Sequence, residues 1–249
     1  MVIRITGASV RYGGVHALRD VDLVIGRGER VGLLGASGAG KSTLLGLLSG
    51  LLAPDTGSVE VFGNDLSHLG GRRLRQHRRQ VGTITQHLDM ALPLRVVHNI
   101  NAGRLGSWST MAALASLIWP SGRDEAAAVL SQVGLADRLL DRTDGLSGGE
   151  RQRVAVARVL RQKPALVLAD EPTSSVDPRL ANEVMDLLCA SGTNTDGETN
   201  TVVVSVHAPE LARRHTSRII GLSDGTVVFD RPPDEVSESE IAALYVADR

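Results

Sequence analysis

The sequence predicts an α/β fold with a mixed or parallel core sheet, an N-terminal antiparallel β subdomain and an inserted α-helical subdomain. Three observations predict it. First, Arg30-Val31-Gly32-Leu33-Leu34 is a short apolar run that enters Gly35-Ala36-Ser37-Gly38-Ala39-Gly40-Lys41-Ser42-Thr43, and Leu44-Leu45-Gly46-Leu47-Leu48 follows with helical character. Second, Ala165-Leu166-Val167-Leu168-Ala169 and Thr201-Val202-Val203-Val204-Ser205-Val206 are nearly unbroken apolar runs, as in strands buried on both faces of a parallel sheet. Third, strand runs disappear over residues 87–142, while residues 125–133 have helical spacing.

The bounds are consistent with this. The chain has 249 residues, enough for one domain with an insertion, and 42% of them are apolar. Its net charge of −1 speaks against a globally basic nucleic-acid binder. The single cysteine, Cys189, excludes an internal disulfide and fits a reducing compartment. Met1-Val2-Ile3-Arg4-Ile5-Thr6 lacks the basic start and long apolar core of a signal peptide, and the mostly apolar stretch 111–119 is too short to span a bilayer. The expectation is a chain that is soluble by itself and meets a membrane only through a partner.

Taken in order, residues 2–10 and 21–25 alternate as strands, with turns at Gly13-Gly14 and Gly26-Arg27-Gly28. Val59-Glu60-Val61-Phe62-Gly63 reads as a third strand of the same antiparallel sheet, after a turn at Pro54-Asp55-Thr56-Gly57. Tyr12 is either a half-buried turn tyrosine or a ring placed to stack on a base. In the glycine loop, Gly35, Ala36, Ser37, Gly38, Ala39, Gly40, Lys41, Ser42 and Thr43 can curl so that backbone N–H groups face phosphate oxygens. The following helix N-terminus adds partial positive charge. Lys41 would reach the β- and γ-phosphates and the Ser42 hydroxyl would ligate Mg²⁺. The plainer alternative is a glycine turn with a surface lysine.

Arg72, Arg73, Arg75, Arg78 and Arg79, with His77, form a basic run. It reads as the solvated face of a helix, or as a contact for anionic lipid or nucleic acid; no aromatics are interleaved, which argues against the last. Val81-Gly82-Thr83-Ile84-Thr85-Gln86 reads as a strand ending in a glutamine. Ser147 with Glu150 makes a capping box that opens an amphipathic helix. Gly148 and Gly149 weaken that first turn, which makes sense if an anion approaches its N–H groups. Asp170-Glu171 ends the buried run 165–169, where α/β sheets place ligands. Asp170 suits a Mg²⁺-associated role, and Glu171 a base acting on water. A turn and helix follow from Thr173 to about Ala190, then a polar stretch 191–200 reads as a loop. His207 ends the run 201–206 at the same sheet edge. Residues 219–222 and 226–229 flank Ser223-Asp224-Gly225 as a hairpin, and an acidic helix closes the chain. There is no internal repeat and no zinc-spaced Cys/His set.

Together these motifs resemble the ATP-binding subunits of ATP-binding-cassette (ABC) transporters, over essentially the whole chain. The most specific element is Leu146-Ser147-Gly148-Gly149-Glu150, between the glycine loop and Asp170-Glu171. The resemblance implies a P-loop NTPase (RecA-like) core made of residues 1–86 and 155–249, with 87–154 as a helical signature subdomain, all in one ATPase domain. It implies ATP and Mg²⁺ as ligands, the metal held by Ser42, Gln86 and Asp170. Tyr12 is similar to the adenine-stacking aromatic, and Gln86 to the glutamine that contacts Mg²⁺ and water and links to the membrane partner. Glu171 is similar to the general base, His207 to the γ-phosphate switch and Lys41 to the phosphate lysine. Ser174-Ser175-Val176-Asp177 stands where many members carry Ala and Leu in the middle, facing the second subunit. The resemblance further implies a head-to-tail homodimer on ATP binding, in which Ser147, Gly148, Gly149 and Glu150 face the partner's ATP. Integral-membrane permease subunits are implied as direct partners, a solute-binding protein as an indirect one, and no nucleic acid. The implied location is the cytoplasmic face of the inner membrane.

Within the class, Asn99-Ile100, Gly103-Arg104-Leu105-Gly106, Trp108 and Trp119-Pro120 resemble the phosphonate-importer branch. This implies import of phosphonate, phosphate or a related oxyanion. ATPases of lipid or lipoprotein extrusion systems, and soluble non-transport ABC proteins, share most of these motifs. A permease helix is expected in a groove formed by Leu92, Leu94, Val96 and Val97, rimmed by Arg95 and Arg104.

Overall fold

The computed structural model describes residues 1–109, 111–112, 115–116, 121–174, 176–190 and 197–246. Trp119-Pro120, Ser175, most of the apolar stretch 111–119 and residues 191–196 of the polar stretch lie outside the described residues.

Two sheets organise the chain. In the first, β1 (Ile3–Tyr12), β2 (Val15–Ile25), β4 (Thr56–Val61) and β5 (Asn64–Asp65) pair antiparallel in the order β2-β1-β4-β5. Ile3, Ile5, Ala8 and Val10 of β1 are buried, and the register shifts around Ala8 keep them inward. The turn read at 54–57 is shorter than expected, because β4 already begins at Thr56. Gly57 permits this: a Cβ there would sit 2.3 Å from the Gly7 carbonyl oxygen, so the two backbones cross where only hydrogen fits.

The second sheet has the order β10-β9-β3-β8-β7-β6. Its members are β3 (Arg30–Leu34), β6 (Val81–Ile84), β7 (Leu166–Asp170), β8 (Thr201–Ser205), β9 (Arg218–Ser223) and β10 (Thr226–Arg231). All run parallel except the hairpin partner β10. Both faces are covered, and the side chains alternate between two cores. Leu166, Leu168 and Val203 pack with Leu44, Leu45, Leu47 and Leu48 of α1 (Lys41–Leu48), while Val167, Ala169, Val202 and Val204 pack on the opposite side. That double burial is why these strands read as apolar runs rather than alternating ones.

α2 (Gly71–Gln80) carries the basic run; its arginines are exposed and only His77 is buried, beside Phe62. The helical part contributes α3 (Val96–Ala102) and α4 (Arg123–Gln132), which pack on α5 (Gly148–Gln162). α5 runs unbroken through residue 154. Its Val154, Ala155, Val156, Ala157 and Val159 share one buried cluster with Ile84 and Val167 of the sheet. α6 (Pro178–Cys189), α7 (Pro209–His215) and α8 (Glu238–Val246) complete that side. Among the described residues, no helix is long and apolar enough to cross a membrane.

Sheet registry sets the functional edge. Leu33 and Asp170 both pair with Ser205, and Ile84 pairs with Ala169. The carboxyl ends of β3, β8, β7 and β6 therefore line up, and the chain leaves them at the glycine loop, His207, Glu171 and Gln86 respectively.

Candidate functional site

The glycine loop leaves β3 and turns straight into α1. Gly40 is the residue before the helix, with φ +104, and a Cβ there would come 2.5 Å from the Ala17 carbonyl oxygen of β2. Gly38, with φ +80, faces open space. The loop thus presses on the sheet at one glycine and opens outward at another. The first intrahelical bond of α1 runs from Leu44 N to Gly40 O at 2.9 Å, so the amides ahead of it point out of the helix end. Lys41 is 4% exposed; its ammonium donates to the carbonyls of Gly35 at 2.7 Å and Ala36 at 2.9 Å. Its charge therefore lies inside the curl. Ser37, Gly38 and Ser42 are exposed, Thr43 is half-buried, and Ala36 and Ala39 are buried under the loop. Tyr12 is 52% exposed at the end of β1, on the hairpin whose Ala17 touches Gly40.

Next to the loop, the buried Ser205 joins the two acidic residues. Its hydroxyl donates to Asp170 Oδ1 at 2.6 Å and accepts from the Glu171 amide at 2.9 Å. Glu171 takes a left-handed backbone, φ +50. Its Oε1 lies 2.7 Å from His207 Nε2, with the carboxylate mostly buried and the imidazole half exposed. The Gln152 side chain, 2% exposed, donates to the Glu171 carbonyl at 3.2 Å.

Gln86 follows β6 and is exposed. Its turn contains two left-handed residues, Leu88 (φ +62) and Asp89 (φ +43). The Arg158 guanidinium of α5 donates to both of their carbonyls at 2.9 Å, and Thr85 Oγ1 donates to Asp89 Oδ2 at 2.8 Å. Burial pushes the Arg158 guanidinium below its ordinary value, opposed by the nearby Asp89 carboxylate.

At the start of α5 the capping box is formed as expected. Glu150 N donates to Ser147 Oγ at 3.3 Å, and Ser147 N donates to Glu150 Oε2 at 2.9 Å. These hydrogen bonds from Ser147 hold the Glu150 carboxyl below the usual range. Ser147 and Gly148 are exposed, Gly149 half-buried; the Glu150 carboxylate reaches Arg138 at 3.5 Å rather than the glycine loop.

The candidate metal residues come from three places on this edge: Ser42 opening α1, Gln86 after β6 and Asp170 ending β7. Among the described residues no three His, Cys, Asp or Glu side chains gather as a metal cage. The donors here are a hydroxyl, an amide oxygen and one carboxylate, which suits a hard cation shared with phosphate oxygens, as Mg²⁺ is.

The expected groove differs from the one found. Val96 and Val97 are fully buried, tied by backbone bonds to Asp141 and Leu139, and serve the interior. Leu92 and Leu94 are the exposed pair, at 40% and 38%. A cleft of about 850 Å³ opens instead between α2 and the stretch after α3, lined by Arg75, Arg79, Arg104, Leu105, Trp108 and Lys163 among others. Val96 and Val97 are turned inward by their place in α3, where helix packing on α5 claims the apolar side.

Ser205, Gln152 and Arg158 escaped the sequence reading. Each is a polar residue interrupting an apolar run or core-facing helix side. That is the signal by which they stand out, since a buried polar group needs a partner.

Known proteins are similar to this chain in sequence and in fold. A model of the family described as ABC transporter matches residues 18–174. A relative from Anaeromyxobacter dehalogenans (strain 2CP-C), named phosphonates import ATP-binding protein PhnC, is 45% identical over 250 residues, covering 99% of this chain. This chain spans about half of that relative's length, 49%. A second relative, from Pseudomonas syringae pv. tomato (strain ATCC BAA-871 / DC3000) and named phosphonates import ATP-binding protein PhnC 1, is 44% identical over 98% of this chain and 92% of its own. Among solved structures, a dimeric post-hydrolysis state of the ATP-binding cassette MJ0796 bound to ADP and Pi superposes with a TM-score of 0.77. It is 30% identical, over 93% of this chain and 98% of that one.

Proposed function

The chain belongs to the ABC transporter family, and from that membership we propose that it is the ATP-hydrolysing subunit that drives phosphonate import through a partner permease. The observation that carries the hydrolytic part is the Glu171–His207 contact of 2.7 Å, set on the sheet edge that also bears the glycine loop. The solute is supported by the names of relatives 44% and 45% identical to the chain, both phosphonates import ATP-binding proteins.

In this reading the adenine stacks on Tyr12, and the phosphates enter the curl of residues 35–43. Lys41 exchanges its bonds to Gly35 and Ala36 for phosphate oxygens. Ser42, Gln86 and Asp170 would hold Mg²⁺, which when bound would supply positive charge against the phosphate oxygens. The Glu171 carboxylate accepts a proton from the attacking water as the new P–O bond forms. The bond from the γ-phosphorus to the bridging oxygen breaks, leaving ADP and inorganic phosphate. His207, released from Glu171, donates to a γ-phosphate oxygen. Two copies close head to tail, so that Ser147, Gly148, Gly149 and Glu150 of one offer the α5 N-terminus to the ATP of the other. Residues 87–154 act as the helical lobe. The cleft between α2 and Trp108, basic at Arg75, Arg79 and Arg104, receives a segment of the permease. In this reading the subunit lies on the cytoplasmic face of the inner membrane, held there by the permease. The solute-binding protein then acts on it only at second hand.

The test has two arms. Glu171→Gln should cut ATP turnover by roughly 10²–10⁴ while ATP still binds. Deletion of the coding gene should impair growth on a phosphonate as sole phosphorus source. Normal turnover in the variant removes Glu171 from its role, and normal phosphonate growth removes the solute.

A further inference from the structure

α5 is more than the carrier of the capping box. Along one helix, Ser147 forms the cap, Gln152 donates to the Glu171 carbonyl at 3.2 Å, and Arg158 donates to the Leu88 and Asp89 carbonyls at 2.9 Å. Every one of these acceptors belongs to a left-handed residue that is not glycine: Glu171 at φ +50, Leu88 at +62 and Asp89 at +43. Such conformations persist only where surrounding structure over-determines them. Both turns carry reaction residues, Glu171 itself and Gln86, and both are latched to the same rod. A helix rises about 1.5 Å per residue and is stiff over this length, so the latches keep a constant spacing from the Ser147 cap.

The segment after the glutamine turn is bound to α3, which packs on the same rod. The Asn99 amide, buried in α3, accepts from Ala91 N at 2.9 Å and donates to Ala91 O at 3.0 Å and Thr143 Oγ1 at 2.9 Å. It thereby ties the chain leaving the turn to the chain entering the cap. Gly103 lets α3 approach α5 at Arg158 itself, since a Cβ there would stand 2.4 Å from the Arg158 carbonyl oxygen. The Asn99 and Gly103 that marked the sequence branch thus have a mechanical place in the fold.

Building on the ATPase reading, we propose that Arg158 and Gln152 are positioning residues that hold the glutamine turn and the Glu171 turn in register with the Ser147 cap. Neither reaches the phosphates. They act through the backbone of the turns, so their loss should lower turnover while leaving ATP binding to the glycine loop in place.

Arg158→Met keeps roughly the length and removes the donors; Arg158→Lys restores the charge and one donor nitrogen in place of two; Gln152→Met removes the amide. The expected result is a fall in kcat on the order of 10- to 100-fold for Arg158→Met, partial recovery in Arg158→Lys and a smaller loss in Gln152→Met, with KM for ATP within about twofold of the parent. Amide hydrogen exchange should quicken at residues 85–92 in the Arg158 variants and at 171–174 in Gln152→Met, with residues 35–48 unchanged. Unchanged kcat together with unchanged exchange at the turns would overturn the proposal. So would a uniform loss, in which KM, melting temperature and exchange everywhere fall together and Lys is no better than Met. If Arg158→Met does not fold, the Lys and Gln152 variants decide. If the parent protein hydrolyses no ATP, the ATPase reading fails, and the exchange pattern alone judges the latches.

Discussion

The glycine loop and the glutamine turn leave the same edge of the same sheet, yet different parts of the chain hold them in shape. In the loop, the positive φ values fall on Gly35, Gly38 and Gly40, and the closing charge comes from Lys41, 6 and 5 residues from the carbonyls it holds. In the turn, the positive φ values fall on Leu88 and Asp89, and the holding charge comes from Arg158, 70 and 69 residues away. The Glu171 turn follows the second pattern, held by Gln152 and by Ser205, 19 and 34 residues distant. A conformation supported by its own residues survives changes elsewhere. One supported from a distance moves when its support moves.

That contrast can be broken first at its local side. Lys41→Ala should abolish ATP binding and hydrolysis together, because it removes the charge inside the curl; titration with a fluorescent nucleotide checks it. Retained affinity would mean that the loop amides suffice. Ser147→Arg should separate the two properties. It leaves the loop of its own chain untouched, so affinity stays within about twofold, while the added bulk and the lost cap, worth about 1 kcal/mol of helix stability, block closure of two subunits. Hydrolysis should drop to background. Gel filtration with ATP, in the Glu171→Gln background that keeps ATP bound, should show a monomer. Equal loss of affinity in the Lys41 and Ser147 variants would place both in one pocket and defeat the head-to-tail arrangement.

Ser205→Ala sharpens the comparison on the distant side. It removes a bond to the Asp170 carboxylate and the acceptor for the Glu171 amide. A bond to a charged group contributes about 1.5–3 kcal/mol. Turnover should therefore fall roughly 10- to 100-fold, again with affinity kept. A loss of affinity equal to the loss of turnover would show that Ser205 supports the fold rather than the turn.

The smallest expected effect is on pH dependence and lies away from both regions. Burial pushes His77 and His215 below their ordinary value, opposed at His215 by the Asp186 carboxylate, so each protonates more readily in the unfolded chain than in the folded one. Their contribution is fully present above the unfolded value and is lost as pH falls through the folded one. Thermal melts should therefore decline on the acid side of about pH 6.5, less steeply in His77→Gln. Cys189, whose thiol burial pushes up to about 11, should stay unlabelled by maleimide at neutral pH until the chain unfolds.

The sequence by itself determined whatever neighbours in the chain can specify. The strand, glycine loop and helix at 30–48, the Ser147–Glu150 box and the hairpin at 223–225 are all set by bonds spanning a few residues. Their residue types announce them: glycine at the positive-φ positions of the loop, Asp-Gly in the hairpin turn, serine where a helix needs a cap. The doubly buried strands were equally legible, because covering both faces leaves an unbroken apolar run. Only the tertiary structure decided which strands lie side by side. With it came the alignment of Glu171 with His207, of Asp170 with Ser205, and the reach of Gln152 and Arg158 to turns far along the chain. It also turned Val96 and Val97 inward and opened the cleft at Trp108 instead, since an apolar residue in a short helix carries no mark of which neighbour will cover it. The left-handed Leu88, Asp89 and Glu171 were illegible for the same physical reason. Their local preference opposes the conformation they adopt, and the bonds that outweigh it come from residues that sequence distance conceals.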